Sequence, residues 1–136
     1  MAETVGGEIE LREAFERVAE VMKSAPTPYT RLGDDDKIRE ANFAFCRLLG
    51  RAETDEEVER LKKIKFRELC APESVGTYDD VEHKRKNHEP VKPYPLTLLT
   101  KNGTAKVMVV VHSAAVPSAS PGQAGLPETF GIMLLQ

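Results

Sequence analysis

The sequence lacks an excess of basic charge, a long apolar run and an N-terminal signal pattern. Its 19 basic residues are outnumbered by 22 acidic residues, which gives a formal net charge of −3, so no extended basic surface is expected to hold nucleic acid or an anionic membrane. No apolar run approaches the roughly 18 residues that a membrane-spanning helix needs, and no basic-then-apolar segment opens the chain. These absences predict a cytoplasmic protein that contacts neither DNA nor a membrane directly.

Cysteine is scarce, and the common catalytic signatures are missing. Cys46 falls on an otherwise apolar helix pattern and Cys70 is the second of two cysteines, so we predict buried thiols rather than a disulfide. The sequence contains no glycine-rich phosphate loop, no G-x-S-x-G and no H-E-x-x-H. His83 and His88 are five residues apart, on different faces of a helix, and no C-x-x-C accompanies them. We therefore predict no metal site, no catalytic residues and no enzymatic activity.

What the chain does contain is enough for one domain preceded by a helix. Its 136 residues, of which 40% are hydrophobic, suffice for a single core. Residues 1–7 have no pattern and are predicted to be disordered. Residues 8–25 form an amphipathic helix pattern whose apolar stripe recurs at i, i+4, i+7 and i+11. The members of the stripe are Leu11, Phe15, Val18 and Met22. Two interpretations remain open: the helix covers its own domain, or it is a dimerisation helix.

The middle of the chain predicts a hairpin followed by short helices. Residues 29–32 and 37–41 are strand-like around an acidic turn at 33–36, which we predict to be solvated. Asn42 is placed to cap a short helix that Gly50 ends. Thr54 followed by Glu57 has the spacing of a capping box and begins a charged helical segment.

The last third predicts three strands. They cover residues 94–100, 105–116 and 129–135, which are rich in Val, Leu, Ile and Thr, and Lys101-Asn102-Gly103 is a hairpin turn between the first two. Residues 107–111 and 132–135 are continuously apolar, so both faces of the sheet should be covered. Helices from residues 42–88 can cover only one face. The N-terminal helix or a second subunit is the available cover for the other.

The order and spacing of these features resemble those of the PAS domain, a sensory and protein-interaction module, over residues 28–136. The matching residues are Ile38, Asn42, Ala44, Phe45, Leu48, Leu49 and Gly50, then Leu69, Pro72 and Glu73, then Lys101, Asn102 and Gly103. The resemblance implies an α+β fold, in which a five-stranded antiparallel sheet carries helices on one face. The N-terminal amphipathic helix is then expected on the other face.

The resemblance also implies a pocket between the helices and the sheet. Its lining residues would be Phe45, Leu69, Tyr78, Leu96, Leu98, Met108, Val110, His112 and Met133. These side chains suit a small apolar ligand; the alternative is that they form the core with no ligand at all.

The resemblance allows the binding of two cofactors of the family, flavin and haem, to be tested residue by residue. Phe66 stands where flavin-binding members carry a reactive cysteine, and Leu98, Met108 and Met133 stand where they hold the flavin's polar edge. Asp79 stands where haem-binding members carry an axial histidine. The resemblance therefore disfavours both flavin and haem, and leaves any cofactor unknown.

The function implied is a sensory module that binds a small apolar ligand or a protein partner and relays its state to an effector. Two alternatives remain open: a small α+β enzyme that uses the same cavity, or a ligand-free dimerisation module. A homodimer is expected, formed through Leu11, Phe15, Val18 and Met22 and the outer face of the sheet.

Overall fold

In the computed structural model, residues 20–33, 35–87, 89–100, 103–116 and 128–135 are described, together with Glu13 and Arg17. Several predictions lie outside these residues. They concern the disordered segment 1–7, the helix residues Leu11, Phe15 and Val18, His88, and the turn residues Lys101 and Asn102.

One five-stranded antiparallel sheet organises the described residues. Its strands are β1 (Tyr29–Leu32), β2 (Ile38–Ala41), β3 (Tyr94–Thr100), β4 (Ala105–Val116) and β5 (Glu128–Leu135). They are arranged in the order β2-β1-β5-β4-β3, so the first and last strands of the chain lie side by side at the centre. The predicted α+β architecture is confirmed.

Three helices and two short 3₁₀ turns connect the two halves of the sheet. The helices are α1 (Phe43–Leu48), α2 (Asp55–Leu61) and α3 (Val75–Lys86), and the 3₁₀ turns are Phe66–Leu69 and Pro72–Ser74. Both predicted caps form: Asn42 Oδ1 accepts from Phe45 N at 3.0 Å, and Thr54 Oγ1 accepts from Glu57 N at 3.2 Å. Gly50 ends α1 with φ 68°, a conformation that suits glycine because it has no Cβ.

The N-terminal helix is described at Glu13, Arg17 and 20–23. Its end lies beside α1 and α2, because Lys23 Nζ is 3.0 Å from Asp55 Oδ1 and 5.7 Å from the centre of the Phe43 ring. How far this helix covers the outer face of the sheet stays a prediction.

The core lies between the helices and one face of the sheet. Phe45, Leu49 and Leu61 project into it from the helical side, and Leu98 and Val109 from the sheet, each at most 1% exposed. Cys46 and Cys70 are both buried free thiols, as predicted. Burial raises the pKa of Cys70 to about 12, so this thiol stays protonated at neutral pH and is a poor nucleophile.

Candidate functional site

The interior between the helices and the sheet is filled by an aromatic stack. The rings of Phe45 and Phe66 have centroids 6.2 Å apart, and those of Phe66 and Tyr78 are 5.4 Å apart. The Phe66 ring therefore connects α1, which carries Phe45, with α3, which carries Tyr78. These rings lie in the interior in which the resemblance implies a ligand.

Six of the nine predicted pocket residues lie in this interior. They are Phe45, Leu69, Tyr78, Leu96, Leu98 and Met133, each at most 5% exposed. The structure therefore brings these side chains together as a packed core. Ligand binding by them stays a prediction.

The other three predicted pocket residues lie on the opposite face of the sheet. Met108 is 56% exposed, Val110 is half-buried and His112 is exposed, whereas Val109 and Val111 face the core at 0% and 3%. The predicted phase of β4 was thus wrong by one residue. Side chains alternate between faces along a strand, so one residue of error moves the whole set to the other side.

The interior does not fit a flavin or an axially ligated haem. Leu98 and Met133 are interior, and on β4 the interior positions are Val109 and Val111, so these sheet positions present no hydrogen-bond donor or acceptor side chain to a flavin edge. Asp79 lies on the solvent side of α3, where its carboxylate pairs with Arg67 at 2.9 Å.

Asp36 is a residue whose role was predicted incorrectly. Instead of pointing into solvent from an acidic turn, its half-buried carboxylate accepts a hydrogen bond from the Tyr78 hydroxyl and from Arg67 N at 3.3 Å. Its backbone adopts φ 69°, a left-handed conformation that Asp tolerates better than most residues. Burial raises the pKa of Asp36 to about 6. The turn is therefore attached to the aromatic core rather than free in solvent.

Asn42 joins the N-terminal segment to the domain. Its Oδ1 accepts from Tyr29 N and Phe45 N, both at 3.0 Å, and its Nδ2 donates to Met22 O at 2.6 Å and Thr27 O at 2.8 Å. The side chain is 1% exposed. One amide thus holds strand β1, helix α1 and the end of the N-terminal helix.

A cavity of about 380 Å³ opens at the C-terminal end of α3. The α3 wall carries a buried ion pair, in which Arg85 Nη2 is 2.5 Å from Glu82 Oε2. The sheet wall is formed by Tyr94, Ser113, Ala114 and Thr129. Sequence reasoning missed this cavity; the i, i+3 spacing of Glu82 and Arg85 was the available signal of a pair.

A second cavity, of about 620 Å³, lies between the end of the N-terminal helix and α2. Its charged lining comprises four carboxylates, Glu20, Glu40, Asp55 and Glu59, and two lysines, Lys23 and Lys62. Lys23 pairs with Asp55 and Lys62 pairs with Glu59, each at 3.0 Å, so both lysine charges are compensated within the groove.

Within the described part of the chain, no group of three His, Cys, Asp or Glu side chains is arranged to hold a metal ion. Nor do the helices described there include one that is long and apolar enough to cross a bilayer.

Comparison with known proteins identifies the fold. No family model matches the sequence, and no curated protein matches it. A PAS domain from a two-component sensor histidine kinase superposes with a TM-score of 0.66 at 12% identity, over 92% of this chain and 98% of that one. The PAS domain of a Colwellia psychrerythraea protein gives 0.69 at 12% identity, over 90% and 97%. That of an HTR-like protein from Haloarcula marismortui gives 0.60 at 20% identity, over 95% and 97%. The PAS fold is therefore confirmed.

Proposed function

On the basis of this PAS fold, we propose that the chain is a non-enzymatic sensory and interaction module that forms a homodimer through the outer face of its sheet. The observation that carries the proposal is the apolar character of that face. Met108 is 56% exposed, Leu134 46% and Ile132 37%.

These residues form one continuous surface because their strands are paired. Val110 lies opposite Leu134 and His112 opposite Ile132 in the β4–β5 ladder, so their side chains point to the same side. Cross-strand neighbours are about 5 Å apart, which makes the residues a patch rather than scattered positions. Soluble proteins seldom leave such patches uncovered.

A second copy of the chain is the occupant that this surface favours. An isologous contact lets the same apolar patch cover itself across a twofold axis. The predicted stripe of Leu11, Phe15, Val18 and Met22 supplies a second apolar surface that needs cover. In the proposed dimer, helix and sheet face of one copy pack against those of the other.

The test is the mass in solution, by light scattering across a dilution series from about 100 to 1 micromolar, a range that brackets typical weak dimers. Met108→Glu and Leu134→Glu place a charge in the contact, and each is expected to give monomers. Thr77→Glu, an exposed position on α3, is the matched control and should dimerise like the native chain. Thermal melts should show all three variants folded, because the substituted positions are exposed.

Deletion of residues 1–24 tests the helix separately and should weaken the dimer. A native chain that is monomeric at the highest concentration contradicts the proposal. The proposal is also contradicted if Met108→Glu and Leu134→Glu both dimerise as well as Thr77→Glu.

A further inference from the structure

The cavity at the end of α3 has walls of different chemistry. Val81 contributes apolar surface beside the ion pair of Glu82 and Arg85, and Leu32 and Val91 complete the apolar lining. The ion pair is well removed from water, since the Arg85 side chain is 5% exposed and that of Glu82 is 14% exposed. At about 380 Å³, the space lies at the lower end of the usual range for small-molecule sites.

The ion pair restricts the charge of any ligand that reaches it. Two bonds hold the pair, Arg85 Nε to Glu82 Oε1 at 3.3 Å and Nη2 to Oε2 at 2.5 Å. A ligand that is only an anion would draw Arg85 away and leave the Glu82 charge poorly compensated. A ligand that is only a cation would draw Glu82 away from Arg85 and break the same pair. Breaking a buried pair on one side is strongly unfavourable.

A ligand that carries both charges avoids this cost. If its carboxylate lies beside Arg85 and its ammonium beside Glu82, the two dipoles are antiparallel and each charge has an opposite neighbour. Glu89 also lines the cavity.

Thr129 lies on the sheet wall, but its hydroxyl is closed off from the cavity. Thr129 Oγ1 is a buried side-chain oxygen with no hydrogen-bond partner, and Thr129 lines this cavity. Buried hydroxyls are normally satisfied. Tyr94 differs, because its hydroxyl already bonds to Ser113 and burial raises its pKa.

From these features we propose that the cavity binds a small zwitterion, an α-amino acid with a compact apolar side chain. Its carboxylate pairs with Arg85, its ammonium pairs with Glu82, and its side chain packs against Val81 and Val91. The proposal rests on the proposed sensory function and names the class of ligand that the module detects.

The experiment uses three matched probes on the full chain, measured by isothermal titration calorimetry at pH 7. L-Leucine carries both charges, 4-methylpentanoate carries only the carboxylate, and 3-methylbutylamine carries only the ammonium, while the apolar part is the same. Leucine should bind saturably, and each single-charge probe should bind at least about tenfold more weakly, the factor that one lost charge pairing gives in an equilibrium constant. L-Valine and L-alanine extend the series toward smaller side chains.

A double variant tests the assigned pair without creating an unpaired charge. Glu82→Gln with Arg85→Gln removes both charges together, and should lose leucine binding by at least about tenfold. The control is Arg67→Gln with Asp79→Asn, which removes an ion pair of similar geometry on the exposed side of α3. It should bind leucine like the native chain.

Absence of binding by leucine, valine and alanine at about 10 mM, the weak limit of specific affinity, overturns the proposal. Equal affinities for leucine, 4-methylpentanoate and 3-methylbutylamine also overturn it. This comparison uses only the native chain, so it remains valid if the double variant does not fold. Light scattering on the same samples reports the proposed function separately. A dimer that binds no amino acid refutes the ligand and leaves the sensory module standing.

Discussion

Replacement of Asn42 by alanine should be the most destabilising change of a single polar side chain in this domain. The alanine removes four hydrogen bonds, two accepted by Oδ1 and two donated by Nδ2. Because the residue is 1% exposed, water cannot easily replace them. The local fold loses the cap of α1 and the attachment of the N-terminal segment together.

The magnitude follows from the groups left unpaired. Loss of the cap on Phe45 N costs about 1 kcal/mol. Tyr29 N and Thr27 O each lose their hydrogen bond to this side chain, which costs about 1 kcal/mol apiece where the site can relax. Met22 O keeps the bond that it accepts from Ala25 N at 3.2 Å. We expect the free energy of unfolding to fall by about 2–4 kcal/mol, a large part of the stability of a small domain.

The assay is urea denaturation followed by circular dichroism at 222 nm, because the chain contains no tryptophan. Asn42→Asp is the matched variant: it keeps both acceptor bonds but places a carboxylate beside Met22 O and Thr27 O. Because one carboxylate oxygen then faces two carbonyl oxygens in a buried site, Asn42→Asp should be at least as destabilising as Asn42→Ala at pH 7 although it keeps the cap of α1. A loss below about 1 kcal/mol for Asn42→Ala refutes the role assigned to this amide.

Three further predictions concern the interior and the surface. The raised pKa of Asp36, about 6, means that the folded chain holds this proton more tightly than the unfolded chain. The stabilisation is therefore present below the ordinary carboxyl pKa and is lost as pH rises through 6. Urea titrations of the native chain from about pH 4 to 7 should show an unfolding free energy that falls as pH rises. The fall should be smaller in Asp36→Asn. Thr129→Val removes a buried hydroxyl without a partner and should raise the unfolding free energy by about 1 kcal/mol, whereas an unchanged or lower melting temperature shows that the hydroxyl is satisfied. Phe66→Ala should cost about 3–5 kcal/mol in urea, while Lys106→Ala, which breaks an exposed pair with Glu73, should leave the midpoint unchanged; equal effects contradict the assignment of Phe66 to the core.

Features decided by neighbouring residues could be predicted from the sequence. Asn42, Gly50 and Thr54 act within one turn of their own position, so their roles follow from side-chain chemistry and backbone geometry alone. The hairpin of β1 and β2 is equally local, because its two strands are separated by a few turn residues.

Features that depend on contacts between residues distant in sequence could not be predicted from the sequence. The hydrogen bond between Asp36 and Tyr78 joins positions 42 residues apart, and nothing in an acidic turn indicates that one carboxylate points inward. The cavity beside Arg85 has the same origin: its walls come from α3, β1, β3, β4 and β5, and Thr129 gives no sign in the sequence of the partner that it lacks. The phase of β4 failed for another reason, because residues 107–111 are apolar without interruption and contain no alternation to choose a face.

The proposed dimer contact and the proposed ligand cavity can be changed separately by mutation. Val109 faces the core and Met108 faces outward, so a substitution at Met108 changes the proposed dimer contact without touching the interior. A change at Glu82 and Arg85 alters the cavity without touching the outer face. If the ligand and the second subunit act on each other, leucine must bind the dimer and the Met108→Glu monomer with different affinities. The dimerisation constant must then change by the same factor when leucine is bound, since the coupling free energy is reciprocal. Equal affinities would mean that the two sites share a sheet but not a conformational equilibrium.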